Sequence, residues 1–238
     1  MTPRVVKPET LDHLTAADPL ALQSREDLVR VHRAMRTQSI IGRGWRALMP
    51  TGRVSSPLHL LELGAGDGTL LLGVARQLHG AWPAVKLTLL DKLDLVSPQT
   101  LAAYAALGWT ARTEVADVRD WAAAASSALR WDLVSTSLFL HHFQDRQLRA
   151  LLGGIARRSR RFFACEPHRS WLALAGSHLV GALGANVVTR HDAVASVHAG
   201  FRGSEIGAFW PNDSTWQCHE TSAGLFSQTF SARSLDEA

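Results

Sequence analysis

Cysteine is scarce. Cys165 and Cys218 are the only two in 238 residues, too few for a disulfide framework and not spaced as a CxxC pair, so neither a secreted scaffold nor a thiolate metal site is expected. Long apolar runs are missing as well. The longest stretch, Trp171 to Ala185, is interrupted by Gly176, His178, Gly181 and Gly184 and falls short of the roughly 18 to 20 residues that cross a bilayer. No membrane span is expected. At the N-terminus, Arg4, Lys7, Glu9 and Asp12 precede any apolar run, the reverse of an export signal. A reducing, cytoplasmic location is therefore expected.

Aromatic residues are few, at 7%, and this bears on the charge. The formal net charge is +4, and residues 1 to 60 hold the whole excess, with nine Arg and Lys against five acids. A nucleic-acid surface would interleave such a patch with stacking aromatics, yet only Trp45 lies within it. The patch reads as a solvated helical face, and nucleic acid is not expected as a partner. With 46% hydrophobic and 19% charged residues, the chain can bury enough apolar surface to fold around one core.

Residues 1 to 20 are aperiodic. Ser24 opens a helical run with Glu26 and Asp27 in its first turn, and Leu28, Val31, Met35, Ile40, Ile41, Trp45 and Leu48 follow at helical spacing. One or two amphipathic helices fit this pattern, closed by Pro50, Gly52 and Pro57. From Leu58 onward short apolar runs alternate with helical ones: strands at 58–63, 85–90, 110–116, 131–139 and 162–165, helices at 69–78, 100–107, 121–129 and 146–155. Such alternation predicts a doubly wound, mostly parallel sheet with helices on both faces. An apolar helix over 171–185, a loop carrying Arg190-His191-Asp192 and a short helix over 204–209 come next. Two alternating segments, 216–221 and 225–232, form a hairpin about Ser222-Ala-Gly224 and complete a seven-stranded Rossmann-like α/β fold. The expected organisation is a helical cap over 1–56 and a Rossmann-like domain over 57–238, with 170–212 inserted on the acceptor side.

The first strand ends in Glu62-Leu-Gly64-Ala-Gly66-Asp-Gly68, a GxGxG turn that lets backbone approach a ligand at a helix N-terminus. It differs from the GxGxxG of pyrophosphate sites. Glu62 and Asp67 would repel a pyrophosphate and attract a ligand carrying ammonium and sulfonium charges. Asp91, 23 residues beyond Gly68 at the end of the second strand, can accept both hydroxyls of a ribose. Asp117 closes the third strand, where its carboxylate could accept from an adenine amino group while the next backbone N–H donates to the ring.

These segments, with Leu87-Thr-Leu-Leu-Asp91, Ala116-Asp117-Val118 and Asp132-Leu-Val-Ser-Thr-Ser-Leu-Phe-Leu-His-His-Phe143, resemble the class I S-adenosylmethionine-dependent methyltransferases over about residues 58 to 166. The resemblance implies S-adenosyl-L-methionine (SAM) as cofactor and S-adenosyl-L-homocysteine (SAH) as product. It implies that Glu62, Gly64 and Gly66 contact the methionine part, Asp91 the ribose, and Asp117 with Val118 the adenine. Thr136 and Ser137 would form another wall, and the final hairpin matches the family's antiparallel last strand.

A sulfonium methyl needs little activation, so the protein chiefly aligns the acceptor, excludes water and manages the acceptor's proton. Histidine suits the last task near neutral pH. Leu140-His141-His142-Phe143 follows the fourth strand and resembles the base-bearing stretch of plant-type small-molecule O-methyltransferases, which puts His141 in the base position, with His142 beside it. The same His-His-Phe segment resembles quinone-biosynthesis-type enzymes that methylate carbon. His191, with Asp192 to fix its tautomer, is a second candidate. No His, Cys and carboxylate set has metal spacing, so no metal is expected. Met35, Trp45, Trp171 and Phe201 are candidates to contact an aromatic or polyketide-like small-molecule acceptor. Methylation of oxygen by a monomer or homodimer is the leading expectation. C-methylation of a quinone-like substrate, RNA methylation through the N-terminal arginines, and a non-catalytic binding subunit stay open.

Overall fold

The computed structural model describes residues 3–49, 57–124, 130–211 and 214–236. Strands β1 (Leu58–Leu63), β2 (Val85–Asp91), β3 (Trp109–Val115), β4 (Leu133–Ser137), β5 (Arg161–Pro167), β6 (Trp216–Ala223) and β7 (Ser227–Ser234) form one sheet in the order β3-β2-β1-β4-β5-β7-β6. The first five run parallel, and β7 pairs antiparallel with both β5 and β6. The order reverses between β1 and β4. That is where a doubly wound sheet opens a crevice beyond its carboxyl ends.

Among the described residues, eight α-helices surround the sheet: α1 (Pro19–Met35), α2 (Thr37–Leu48), α3 (Thr69–Leu78), α4 (Pro98–Ala105), α5 (Val118–Ala123), α6 (Asp145–Arg158), α7 (Trp171–His178) and α8 (Val187–Ala199). Side chains alternate across each strand, which separates two cores. Leu61, Leu63, Val134, Phe162 and Phe230 pack with Leu148, Leu152 and Ile155 of α6 on one face. On the other, Leu60, Leu87, Leu89, Leu133 and Phe163 pack with Ile41 and Trp45 of α2 and Val74 of α3. Helix α2 is thus part of the main core. It approaches so closely that a Cβ on Gly44 would lie 2.1 Å from the Phe163 ring.

Several boundaries differ from the sequence reading. The first helix starts at Pro19, capped by the Asp18 carboxylate, which accepts from the Leu20 N–H. Pro at the first helical position pre-sets the backbone, so the helix begins before Ser24, where the sequence pattern opens it. The helical run is broken by Arg36, whose left-handed backbone (φ 57°) ends α1 and opens α2. Arg190-His191-Asp192 is not a loop: it lies within α8, whose N-cap Asn186 accepts from the Thr189 N–H. The apolar segment from 171 is helix α7 followed by a 3-10 turn, Val180–Leu183. Pro50, Gly52 and residues 125–129 lie outside the described residues. Among the described residues, no helix is long and apolar enough to cross a membrane.

Candidate active site at the carboxyl edge of the sheet

The turn after β1 is built on glycine: Gly64, Gly66 and Gly68 all have positive φ (71°, 55° and 75°). A side chain at Gly64 would meet the Phe139 ring at 2.3 Å, whereas one at Gly66 would meet nothing within 4 Å. Backbone at Gly66 therefore borders open space. Asp91 holds the turn to β2: its carboxylate accepts from the Gly66 N–H at 2.8 Å and from the Leu93 N–H at 3.0 Å. Asp117 caps α5 by accepting from the Arg119 N–H, and the Arg119 guanidinium beside it holds its carboxyl down at about 2. The Val118 side chain is buried in the core, so only its backbone could face a ligand.

Glu62 is buried, and loss of water pushes its carboxyl up to about 7, partly offset by the nearby Ser135 and Ser137 hydroxyls. Those hydroxyls lie outside hydrogen-bond geometry. Glu62 Oε2, Ser135 Oγ and Ser137 Oγ are all buried without a partner. Glu62 pairs with Ser135 and Leu63 with Thr136 in the parallel register, so Ser135 and Ser137 share the face of Glu62 while Thr136 points to the opposite one. Of the two residues expected to form a wall at the end of β4, Ser137 lies on the face of Glu62 and Thr136 on the opposite face. Unpaired buried polar atoms are costly, and a group bearing N–H donors would satisfy these three. Above the turn lies α1, whose His32 is pushed down to about 4 by burial, against the opposing charge of Asp67.

The histidines after β4 sit in a 3-10 turn, Leu140–His142. Glu166, at the end of β5 and fully buried, organises that turn. One carboxylate oxygen accepts from the Phe139 and Leu140 N–H groups at 3.0 and 2.9 Å; the other faces His141 Nδ1 at 2.8 Å. A segment unremarkable in the sequence completes the cluster. Residues 3–14 run as a strap across the edge, and Arg4 pins one end by donating to the carbonyls of Ala199, His141 and Phe143. The Thr10 and Leu11 N–H groups donate to the Asp192 carboxylate at 2.8 and 2.9 Å. Glu9 Oε1 lies 3.3 Å from His141 Nε2, and Asp12 reaches His142 Nδ1 at 3.2 Å and Lys92 Nζ at 3.0 Å.

His141 thus stands buried between Glu166 and Glu9. Burial alone would lower its pKa, but hydrogen bonds and charge from the two carboxylates outweigh it and raise it to about 9. The Ser196 hydroxyl of α8 donates to Glu9 Oε1 and so joins the cluster; the sequence did not single out Arg4, Glu9, Asp12, Lys92, Glu166 or Ser196 for it. Glu9 and Asp12 carried no motif, and Glu166 showed only as the end of a strand.

The other predicted residues are distributed unevenly. Asp192 is committed to the strap, and His191 beside it is exposed on the outside of α8. Trp45 is fully buried, stacked on Trp82 with ring centres 5.7 Å apart, and Phe201 is fully buried beneath the Arg4 guanidinium. Neither offers a face to an acceptor, because each is already surrounded by core. Trp171 is 73% exposed and Met35 is half-buried at the end of α1. Of the N-terminal arginines, Arg4, Arg25, Arg30 and Arg46 donate to backbone carbonyls. Among the described residues, Glu9, His141 and His142 bring three potential metal-ligand atoms within 4.8 Å of one another.

No family model and no curated protein matches the sequence, but solved structures match the fold. The plantazolicin methyltransferase BpumL, determined with a triazolic desmethylPZN analogue and SAH, aligns over 92% of this chain and 92% of its own at a TM-score of 0.58 and 12% identity. An O-methyltransferase family protein from Burkholderia thailandensis aligns over 93% of this chain and 62% of its own, at a TM-score of 0.55 and 17% identity. The chain has the Rossmann-like fold of the methyltransferases: a seven-stranded mixed sheet ending in an antiparallel hairpin.

Proposed function

We propose that this protein is a SAM-dependent methyltransferase acting on a small-molecule acceptor at oxygen. The observation that carries the reading is the row of acids at three successive strand ends, Glu62, Asp91 and Asp117, with Glu62 Oε2 and two serine hydroxyls buried and unpartnered beside a glycine turn. Those residues fit the cofactor. Glu62, Ser135 and Ser137 would receive the ammonium end, Asp91 the ribose hydroxyls, and Asp117 with the Val118 backbone the adenine. A phosphorylated nucleotide would be repelled by the same acids. Bound SAM supplies an electrophilic methyl group. The chain's own contribution is to align the acceptor, keep water away beneath α1 and the strap, and take up the acceptor's proton.

Oxygen is favoured as the methylated atom because the edge carries machinery for a proton. With Nδ1 held by Glu166 the His141 ring is fixed in orientation; Nε2 faces Glu9, which together with Glu166 keeps the imidazole protonated near neutral pH, so Nε2 becomes able to accept a proton once Glu9 moves away and the pKa falls. An acceptor hydroxyl that displaced Glu9 would meet a base already oriented. Small acceptors are favoured over RNA because four of the N-terminal arginines are engaged with carbonyls. BpumL was solved with a triazolic desmethylPZN analogue and SAH, which is a precedent for the fold alone.

Calorimetric titration tests the reading. SAM and SAH bind the wild-type protein, while Asp91→Ala weakens SAM by about 1 to 3 kcal/mol through loss of charged hydrogen bonds. No binding of either nucleoside by the folded wild type would end the proposal.

A further inference from the structure

We infer that Glu9, His141 and His142 form a site for a single borderline transition-metal dication of the zinc or cobalt kind. The donor set is two imidazoles and one carboxylate, which suits such ions and disfavours magnesium or calcium. Its geometry is close to what an ion requires. Glu9 Oε1 lies 3.3 Å from His141 Nε2 and Glu9 Oε2 lies 4.0 Å from His142 Nε2, whereas zinc–ligand bonds of about 2.0 to 2.2 Å place tetrahedral donors about 3.4 Å apart. A small closure of His142 completes the set.

The outer shell points the same way. His141 Nδ1 faces Glu166 Oε2 at 2.8 Å and His142 Nδ1 faces Asp12 Oδ2 at 3.2 Å. Each ring therefore has a carboxylate behind it, the arrangement that orients metal-bound histidines and fixes the tautomer in which Nε2 carries the lone pair. Both Nε2 atoms then converge on the Glu9 carboxylate. Glu9 Oε1 also accepts from the Ser196 hydroxyl, and one dication would take the place of the proton that His141 Nε2 shares with that carboxylate. His141 is buried and the Glu9 side chain only 14% exposed, while His142 keeps 24% of its side chain exposed as an entry path. Three protein ligands leave a fourth position open.

The ion would tie the strap, through Glu9, to the edge of the sheet. It would also take the His141 nitrogen that the base role needs, so a protein loaded with the ion would not use His141 as its base. The site itself does not depend on the methyl-transfer reading.

The full-length protein, stripped with a chelator and dialysed, is titrated with Co²⁺ and separately with Zn²⁺, with metal content measured after desalting. One equivalent per chain is expected, with a visible cobalt band of low-symmetry coordination, and affinity falling more than about tenfold in both Glu9→Gln and His142→Ala. Circular dichroism establishes that each variant is folded; should one not fold, the other carries the test. Binding well below one equivalent, or wild-type affinity in a folded variant, would overturn the site. SAM calorimetry on the same stripped sample separates the two proposals, because loss of nucleoside binding there bears only on the methyl-transfer reading.

Discussion

The two halves of the carboxyl edge are built in different ways. The first, at β1 to β3, is made of strand-turn-helix units in which each functional residue lies within a few positions of the turn that places it: Gly64 and Gly66 after β1, Asp91 at the end of β2, Asp117 capping α5. The second, at β4 and β5, is assembled from distant segments. Glu9 meets His141 across 132 positions, Thr10 meets Asp192 across 182, and Glu166 meets His141 across 25. One half is local and polar toward a ligand; the other is a clasp that closes on itself.

If the halves are independent, they can be broken separately. The largest effect is expected at Glu166. Its carboxylate is buried and accepts from backbone N–H groups as well as facing His141, so Glu166→Ala leaves several buried donors unpaired and should cost about 3 to 5 kcal/mol in chemical denaturation. SAM affinity should survive in the folded variant. A parallel collapse of nucleoside binding would show the halves to be one cooperative unit.

The converse variant is Gly64→Ala. Its left-handed backbone and the Phe139 ring 2.3 Å from the new Cβ predict a loss of about 1 to 3 kcal/mol with SAM binding abolished. Hydrogen exchange over residues 5–12 should stay as protected as in the wild type. Faster exchange there would mean that the turn supports the strap.

The smallest and sharpest effect concerns pH. Glu62 titrates at about 7 in the folded protein against an ordinary 4.5, so the folded state holds a proton that the unfolded chain has released. Stability from this group therefore declines as pH rises from 4.5 through 7. An ammonium-bearing ligand prefers the ionised carboxylate, so SAM affinity should climb by up to roughly tenfold per pH unit toward 7 and level off above it. Glu62→Gln should flatten that profile in calorimetry. A flat wild-type profile would remove Glu62 from the ligand's ammonium end.

The local half was readable because its signals are contiguous. Alternating apolar runs, the GxGxG turn and acids at strand ends all act over a few residues, and the doubly wound sheet with its final hairpin followed from them. What misled was local too. Pro19 and the valines opening α8 weakened helical signals that the caps Asp18 and Asn186 supply. Trp45 and Phe201 were chosen for an acceptor because they are aromatic, but large apolar side chains serve a core equally well, and here they do.

The sequence by itself determined the order of strands and helices, the glycine turn and the acids that face it, since backbone sterics and side-chain periodicity operate within one element and its neighbour. Only the tertiary structure decided that Arg4, Glu9 and Asp12 reach the histidine turn, that Glu166 grips His141, and that Glu62 is stripped of water. Burial and long-range pairing set those properties, and both depend on which distant segments the closed sheet edge brings together.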